Sequence, residues 1–230
     1  MKETNIPQHV AIIPDGNRRW AKSKGLKASY GYVKSGEYEH LKSLILESRK
    51  LGVKYLSLWA FSTENWSRPE KEREILFKLI LDVIDKFKKD ALKDKIRLRF
   101  IGRRERLPKE MSSKLLRLEK ETKNFNSFTI VLCLDYGGRD EILRVVNKII
   151  KSRIKRVDEK KFSKLLDTSG IPDVDLIIRT AGEKRTSGFM PFQSIYSELY
   201  FAEPCFPDFN RKELKKAIKD FEKRKRNFGK

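Results

Sequence analysis

Short apolar runs alternate along this chain with longer segments whose apolar positions recur every three or four residues. The runs predict strands at Val10–Ile13, Lys54–Phe61, Phe128–Leu134 and Val174–Ile178. Ile96–Ile101 alternates apolar residues with Arg97 and Arg99, the period of a further strand. The helical spacing appears over Lys34–Leu51, carried by Leu41, Leu44, Ile45 and Leu46 and stopped by Gly52. It returns over Pro69–Leu92, with Ile75, Leu76, Leu79, Ile80, Val83, Ile84 and Phe87 on one stripe. Ser67 and Glu70 are spaced as a capping box for that helix. The stripe reads as a core face, part of which is a candidate wall for an apolar cavity. Further helices are expected over Pro108–Lys123, Asp140–Ser152, Asp158–Leu166 and Asn210–Arg226. A helical segment is expected to open at Trp20, and Gln193–Phe201 holds a short helix and a final strand. Strands alternating with helices specify an α/β fold. The expectation is a mostly parallel, doubly wound central sheet of about six strands flanked by helices. No repeat or low-complexity linker divides residues 1–230, so one domain is expected.

Charge changes the picture. Lys and Arg number 53 against 32 Asp and Glu, a formal net charge of +21. Such a chain attracts anions: nucleic acid, an anionic membrane face or phosphorylated substrates. No nucleic-acid motif accompanies the charge, and the basic residues are spread over helices, so specific nucleic-acid binding is not expected. Cys133 and Cys205 sit in apolar surroundings without metal-ligand spacing. A reducing compartment without disulfides is the expectation. No signal peptide is apparent, and no apolar run approaches the ~18 residues of a membrane span. A soluble, cytoplasmic protein is expected.

The chemistry gathers where strands end. In open α/β sheets, ligands bind at the carboxyl ends of the strands. Four predicted strands end in polar segments there: Asp15-Gly16, Ser62-Thr63-Glu64-Asn65, Asp135-Tyr136-Gly137-Gly138 and Arg179-Thr180-Ala181-Gly182. The first continues into Asn17-Arg18-Arg19-Trp20. A carboxylate beside glycine and arginines suits a cation together with a phosphate. There is neither a Gly-x-x-x-x-Gly-Lys-Ser/Thr loop nor a Gly-x-Gly-x-x-Gly after the first strand, so P-loop and dinucleotide chemistry are not indicated. His9 and His40 read as packing or surface residues rather than catalysts. A rim rich in Arg and poor in His suits diphosphate handling better than proton shuttling. Glu198 lies among apolar neighbours, either facing solvent or recruited to a cation.

His9–Trp20, Phe61–Arg68, Tyr136–Arg139, Asp175–Ser187 and Tyr196–Phe209 together resemble the cis-prenyltransferases, the undecaprenyl diphosphate synthase family. The motifs stand in the family's order over nearly the whole chain. The resemblance implies repeated condensation of isopentenyl diphosphate onto an allylic diphosphate primer, farnesyl or geranylgeranyl, to give a long-chain polyprenyl diphosphate for glycosyl carrier lipid. It implies catalytic roles for Asp15 and Asn65, the latter as proton acceptor. Gly16, Asn17, Arg18, Arg19 and Trp20 match the loop that grips the primer's diphosphate. Ser62, Thr63, Glu64, Trp66 and Arg68 match substrate contacts after the second strand, and Tyr32 falls on another. Arg179, Arg185, Thr186 and Ser187 match the isopentenyl diphosphate site. Asp15 and Glu198 match the Mg²⁺-linked carboxylates, with Glu198 supplied by the second subunit of a homodimer. The resemblance also implies contact with the inner membrane face, where the product would partition.

The chain departs from the family pattern at several points. Arg18 stands where Gly is frequent, Tyr32 where His is frequent, Ala28 in the place of Arg, and Phe192 in the place of Trp. Asn227 takes the Arg place of a terminal Arg-x-Gly, with Arg226 beside it. A non-catalytic partner subunit is the competing reading. Retention of Asp15, Asn17, Arg19, Asn65, Arg179, Arg185 and Glu198 favours the enzyme.

Overall fold

A computed structural model describes residues 5–226; Asn227 lies outside the described residues. The chain runs β1 (His9–Ile13), α1 (Asn17–Ser23), α2 (Ala28–Ser35), α3 (Tyr38–Lys50), β2 (Tyr55–Ser62), α4 (Glu70–Lys93), β3 (Ile96–Ile101) and α5 (Lys109–Thr122). It continues through β4 (Phe128–Tyr136), α6 (Gly138–Lys151), α7 (Glu159–Leu165), β5 (Leu176–Arg179), β6 (Glu198–Phe201) and α8 (Arg211–Glu222). The strands form one six-stranded sheet in the order β3-β4-β2-β1-β5-β6. Every pairing in it is parallel. The expected architecture is therefore the observed one.

The period of two sorts the strand residues onto two faces. Val10 and Ile12 of β1 join Leu56, Leu58, Ile130 and Ile178 in a large core completed by α3, α4, α5 and α8. Ala11 and Ile13 point the other way and pack with Val131, Cys133, Ile177, Phe189 and Met190. The two-sided burial explains why β1 and β4 read as nearly unbroken apolar runs.

The structure corrects several local expectations. The helix over Lys34–Leu51 is two helices, because Gly36 closes α2 and Glu37 is extended before α3. The capping box forms at Ser62 and Asn65, not at Ser67 and Glu70, and the N-cap of α4 is Pro69. Residues 193–197 form turns and no helix before β6. The first helix opens at Asn17 rather than Trp20, and α8 ends at Glu222 rather than Arg226. His9 lies inside β1 and is buried; its Nδ1 is 2.8 Å from the Pro172 carbonyl and its Nε2 is 2.7 Å from Ser57 Oγ. The carbonyl can only accept, so Nδ1 carries the proton and Nε2 accepts from the Ser57 hydroxyl. Among the described residues no helix is long and apolar enough to cross a membrane.

Candidate active site

The parallel sheet sets Asp15, Ser62, Tyr136 and Arg179 at one end, where β1, β2, β4 and β5 finish. At the centre of this rim the Asp15 amide donates to Thr180 Oγ1 at 2.7 Å, and the Thr180 hydroxyl donates back to the Asp15 carbonyl at 2.8 Å. The Phe206 amide donates to that carbonyl too, at 2.8 Å. These bonds fix the backbone from which the Asp15 carboxylate projects. Gly16 follows with φ +89°, and a Cβ there would lie 2.6 Å from both Ala181 Cβ and Cys205 Sγ. Glycine is required twice over, for the left-handed turn and for the close approach. The turn starts α1 at once, so Asn17, Arg18 and Arg19 form its first turn. No acidic residue or side-chain cap occupies that end. The arrangement favours an anion there.

Arg179 is 5% exposed and is held by three acceptors. Its Nη2 donates to Asp15 Oδ2 at 2.7 Å, and its Nη1 donates to the Arg185 carbonyl at 2.5 Å and to Ser187 Oγ at 2.7 Å. Positive φ at Ala181 and Ser187 folds the loop back so that these acceptors reach it. Arg19 donates to the Ala181 carbonyl at 3.1 Å and pairs with Glu183 at 2.8 Å; Arg185 pairs with the same carboxylate. Thr186 is half-buried, and its carbonyl accepts from the Phe189 amide. The structure thus brings Asp15, Arg19, Arg179, Arg185 and Ser187 together around one loop.

The segment after β2 is a 3₁₀ turn, Thr63–Ser67. The Ser62 amide donates to Asn65 Oδ1 at 3.1 Å, which fixes the plane of that side-chain amide. Thr63 packs where Gly137 has no side chain: a Cβ on Gly137 would lie 2.3 Å from Thr63 Oγ1. Glu64 is exposed and accepts from the Thr63 hydroxyl. Trp66 faces inward; its Nε1 donates to Asp135 Oδ1 at 2.8 Å. Arg73 donates to the Trp66 and Arg68 carbonyls and so ties the turn to α4. Arg68 lies over the Tyr32 ring and donates to its hydroxyl at 3.1 Å, while Tyr32 donates to Glu72 at 2.8 Å. Burial pushes the Tyr32 phenol up to about 12, so it remains a protonated donor at neutral pH.

Behind this rim lies an apolar cavity of ≈ 180 Å³. Asn17, Tyr32, Ser35, Asn65 and Arg68 line its polar parts. Leu76, Leu79, Ile80, Val83, Ile84 and Phe87 of α4 make one wall, and Leu58, Ile130 and Leu132 of the sheet make another. The helical stripe read from the sequence is therefore a cavity wall, apart from Ile75, which is exposed. Phe128 is fully buried and does not reach the lining.

A family model described as "Putative undecaprenyl diphosphate synthase" matches residues 13–229. The chain belongs to this prenyltransferase family. An isoprenyl transferase of Aquifex pyrophilus is 48% identical over 224 residues, 97% of this chain and 96% of that one. An isoprenyl transferase of Thermotoga maritima is 43% identical, covering 97% of each chain. Among solved structures, lavandulyl diphosphate synthase from Lavandula x intermedia, in complex with dimethylallyl diphosphate, superposes with a TM-score of 0.92. It is 33% identical over 98% of this chain and 99% of that one. A probable undecaprenyl diphosphate synthase from Campylobacter jejuni gives a TM-score of 0.82 at 33% identity, with full coverage of both.

In this member of the family Glu198 stands apart from the rim. It opens β6 beside Leu176, at the other end of the strands, and pairs with Arg224 at 2.6 Å. Arg226 lies nearby and pairs with Asp175 at 2.7 Å. Among the described residues no group of three or more His, Cys, Asp or Glu is placed to hold a metal. Asp15 offers one carboxylate, a third exposed, beside arginines. That donor set fits Mg²⁺, which is commonly held by one or two carboxylates together with substrate phosphates rather than by an all-protein cage. No local sequence pattern marks Glu72, Arg106 or the side chain of Asp135 as part of the site. Asp135 is fully buried, accepts from Trp66 and binds Arg106 through both oxygens. A carboxylate at a strand end was visible in the sequence; its partners, distant along the chain, were not.

Proposed function

We propose that this protein condenses isopentenyl diphosphate repeatedly onto an allylic diphosphate primer to make a long-chain polyprenyl diphosphate. One observation carries the reading: an apolar cavity that opens behind a rim of arginines centred on the Asp15 carboxylate. The substrate such a site suits has an anionic head and a hydrocarbon tail. A relative with the same fold binds dimethylallyl diphosphate, itself an allylic diphosphate, which supports the assignment.

In this reading the primer's diphosphate rests on the first turn of α1, against Asn17, Arg18 and Arg19. Trp20 follows in the same helix, and the tail enters the cavity past Tyr32 and Arg68. The isopentenyl diphosphate head lies against Arg179, Arg185, Thr186 and Ser187. Ser62, Thr63, Glu64 and Trp66 shape the turn between the two. Asp15 would hold Mg²⁺ with the diphosphates, and the ion supplies charge neutralisation of the leaving group. The arginines share that load where charge develops as the allylic C–O bond breaks. The new bond forms between the allylic carbon and the terminal alkene carbon of isopentenyl diphosphate. The proton is then lost at the mouth, where Asn65 Oδ1 is held in a fixed plane. The protein acts as a homodimer, and Glu198 of one copy serves the site of the other. It works in the cytoplasm at the inner membrane face, and the product serves as a glycosyl carrier lipid.

The test is incorporation of labelled isopentenyl diphosphate with farnesyl or geranylgeranyl diphosphate, with Mg²⁺ or chelator, and products resolved by length. A Mg²⁺-dependent ladder is expected. Asp15→Ala should lower turnover by on the order of 10²–10³-fold, as loss of a preorganised electrostatic group does. Circular dichroism should show the fold intact. Full activity in that variant removes Asp15 from the site, and absence of any incorporation by the folded native protein favours the partner-subunit role.

A further inference from the structure

β4 breaks its own alternation near its end. Phe128, Ile130 and Leu134 point into the large core, and Val131 and Cys133 point to the other side of the sheet. Strict alternation would send Asp135 the way of Cys133 and bring Tyr136 back to the large core. The reverse is found. Tyr136 packs with Cys133 and Phe189, while the Asp135 carboxylate turns to Trp66, which packs on the large core. A left-handed backbone at Asp135, φ +48°, makes the switch. In the ladder with β2, Phe61 pairs with Leu134 and Ser62 with Tyr136, so Asp135 is an extra residue, a bulge at the strand end. A non-glycine residue in this conformation is strained, and such strain persists only where the surroundings offset it.

The switch delivers a fully buried carboxylate to the turn that follows β2. Asp135 Oδ1 accepts from Trp66 Nε1 at 2.8 Å. Arg106 closes on both oxygens, its Nε 2.6 Å from Oδ2, and so neutralises the buried charge. The Arg106 guanidinium also lies over the Trp66 ring, 5.3 Å from its centre, and that of Arg73 lies 5.6 Å from the same centre. Phe61 and Phe77 pack on the ring as well. Packing confines the indole, and the directional bond to Asp135 sets its rotation. Asn65 precedes Trp66 in the same 3₁₀ turn, and Arg68 closes it. We propose that Asp135, held by Arg106, is a positioning residue: through Trp66 it sets where Asn65 stands at the cavity mouth. The inference rests on the prenyl-elongation reading above, in which the proton is lost beside Asn65. The Ser62 amide fixes the plane of the Asn65 side chain, and Arg73 ties the turn to α4. Asp135 ties it to β4, the neighbour of β2 in the sheet, and a bulge aims the carboxylate for that contact.

The test uses the full chain, a farnesyl diphosphate primer, labelled isopentenyl diphosphate and Mg²⁺, with kcat and KM read separately and a melting temperature for each variant. Asp135→Ala should lower kcat by about 10-fold to 10²-fold, the cost of a displaced reacting group, with KM for isopentenyl diphosphate nearly unchanged. Asp135→Asn keeps an acceptor for Trp66 Nε1 and should retain most of the native kcat. In an Asn65→Ala background the Asp135→Ala change should cost almost nothing further, because a residue that acts through another is not additive with it. Where Asp135→Ala does not fold, Trp66→Phe, which removes the donor and leaves Asp135 paired with Arg106, decides by the same non-additivity with Asn65→Ala. A lower melting temperature with native kcat makes the contact structural only and overturns the proposal. So does a full multiplicative loss in the Asn65→Ala background, or an Asp135→Asn variant as slow as Asp135→Ala. Failure of the native protein to incorporate any isopentenyl unit is a different result and counts against the transferase reading itself.

Discussion

Arg179 and Arg185 carry the same charge and do different work. Arg179 is buried and every acceptor around it is fixed, so it is part of the scaffold as much as of the site. The Arg185 side chain is 59% exposed and pairs with Glu183, an attachment a diphosphate can displace, since exposed ion pairs contribute about 0–1 kcal/mol. Burial also decides the histidine chemistry. His9 is held neutral, its pKa lowered to about 4 mainly by desolvation. The folded value lies below the unfolded one, so the unfolded chain binds the extra proton first. Stability is then whole above about pH 6.5 and falls as pH drops toward 4, by up to roughly 3 kcal/mol from this one group. His40 is lowered as well, by desolvation, and adds to the slope with the same sign. Urea unfolding at a series of pH values between 6.5 and 5 should show that loss. His9→Gln should flatten it, and an unchanged slope in the variant would place the titration elsewhere.

At the scale of elements, α1 and α2 form a unit that presents the anion-binding turn, and Gly31 sets their spacing. A Cβ on Gly31 would lie 1.9 Å from the Asn17 carbonyl oxygen, an impossible contact with backbone. Ser35 of the same helix donates to Asn17 Oδ1. Gly31→Ala must therefore push α2 off α1, at a cost of about 1–3 kcal/mol, and displace Asn17 from the cavity mouth. A lower melting temperature together with a raised KM for the allylic diphosphate is expected; unchanged values of both would show that the helices absorb a methyl freely. How much of this was legible in the sequence differs by element. The strands were, because burial on both faces leaves an apolar run that few other structures produce. The stripe on α4 was too, although periodicity alone could not separate core from cavity wall. The break at Gly36 and Glu37 was not, since a single turn of interruption leaves the apolar spacing almost in phase. Ser67 and Glu70 had capping spacing, yet Ser62 and Asn65 took the box because β2 runs on to Ser62. Of the candidate site, the polar strand ends were readable because a parallel sheet must gather them on one rim. The bonds from Tyr32 to Glu72 and from Arg106 to Asp135 join residues far apart in the chain and depend on packing that no local pattern encodes.

For the whole molecule, the parallel sheet that unites the rim also separates its two candidate carboxylates. Asp15 lies two residues beyond Ile13, the β1 residue paired with Arg179, whereas Glu198 pairs with Leu176. The three strand residues from Arg179 back to Leu176 alone place Glu198 about 10 Å further down the sheet than Ile13, before Pro14 and Asp15 are counted, and two strand spacings add about 10 Å sideways. Oxygen ligands of Mg²⁺ lie at about 2.1 Å from the ion, so the two carboxylates of one copy cannot share it. If Glu198 serves the reaction, it serves a second copy of the chain, and two-fold symmetry then gives each dimer two composite sites. Complementation tests this directly. Asp15→Ala and Glu198→Ala chains should each be nearly inactive alone. When they are unfolded together and refolded, each mixed dimer has one site with both changes and one site with neither. Random pairing leaves roughly a quarter of all sites intact, and activity should return to about that fraction of the native level. Recovery requires the two carboxylates to come from different copies. Mixed dimers that are demonstrably formed yet show no recovery would confine Glu198 to its own chain, where its place beside Arg224 makes it a structural ion pair.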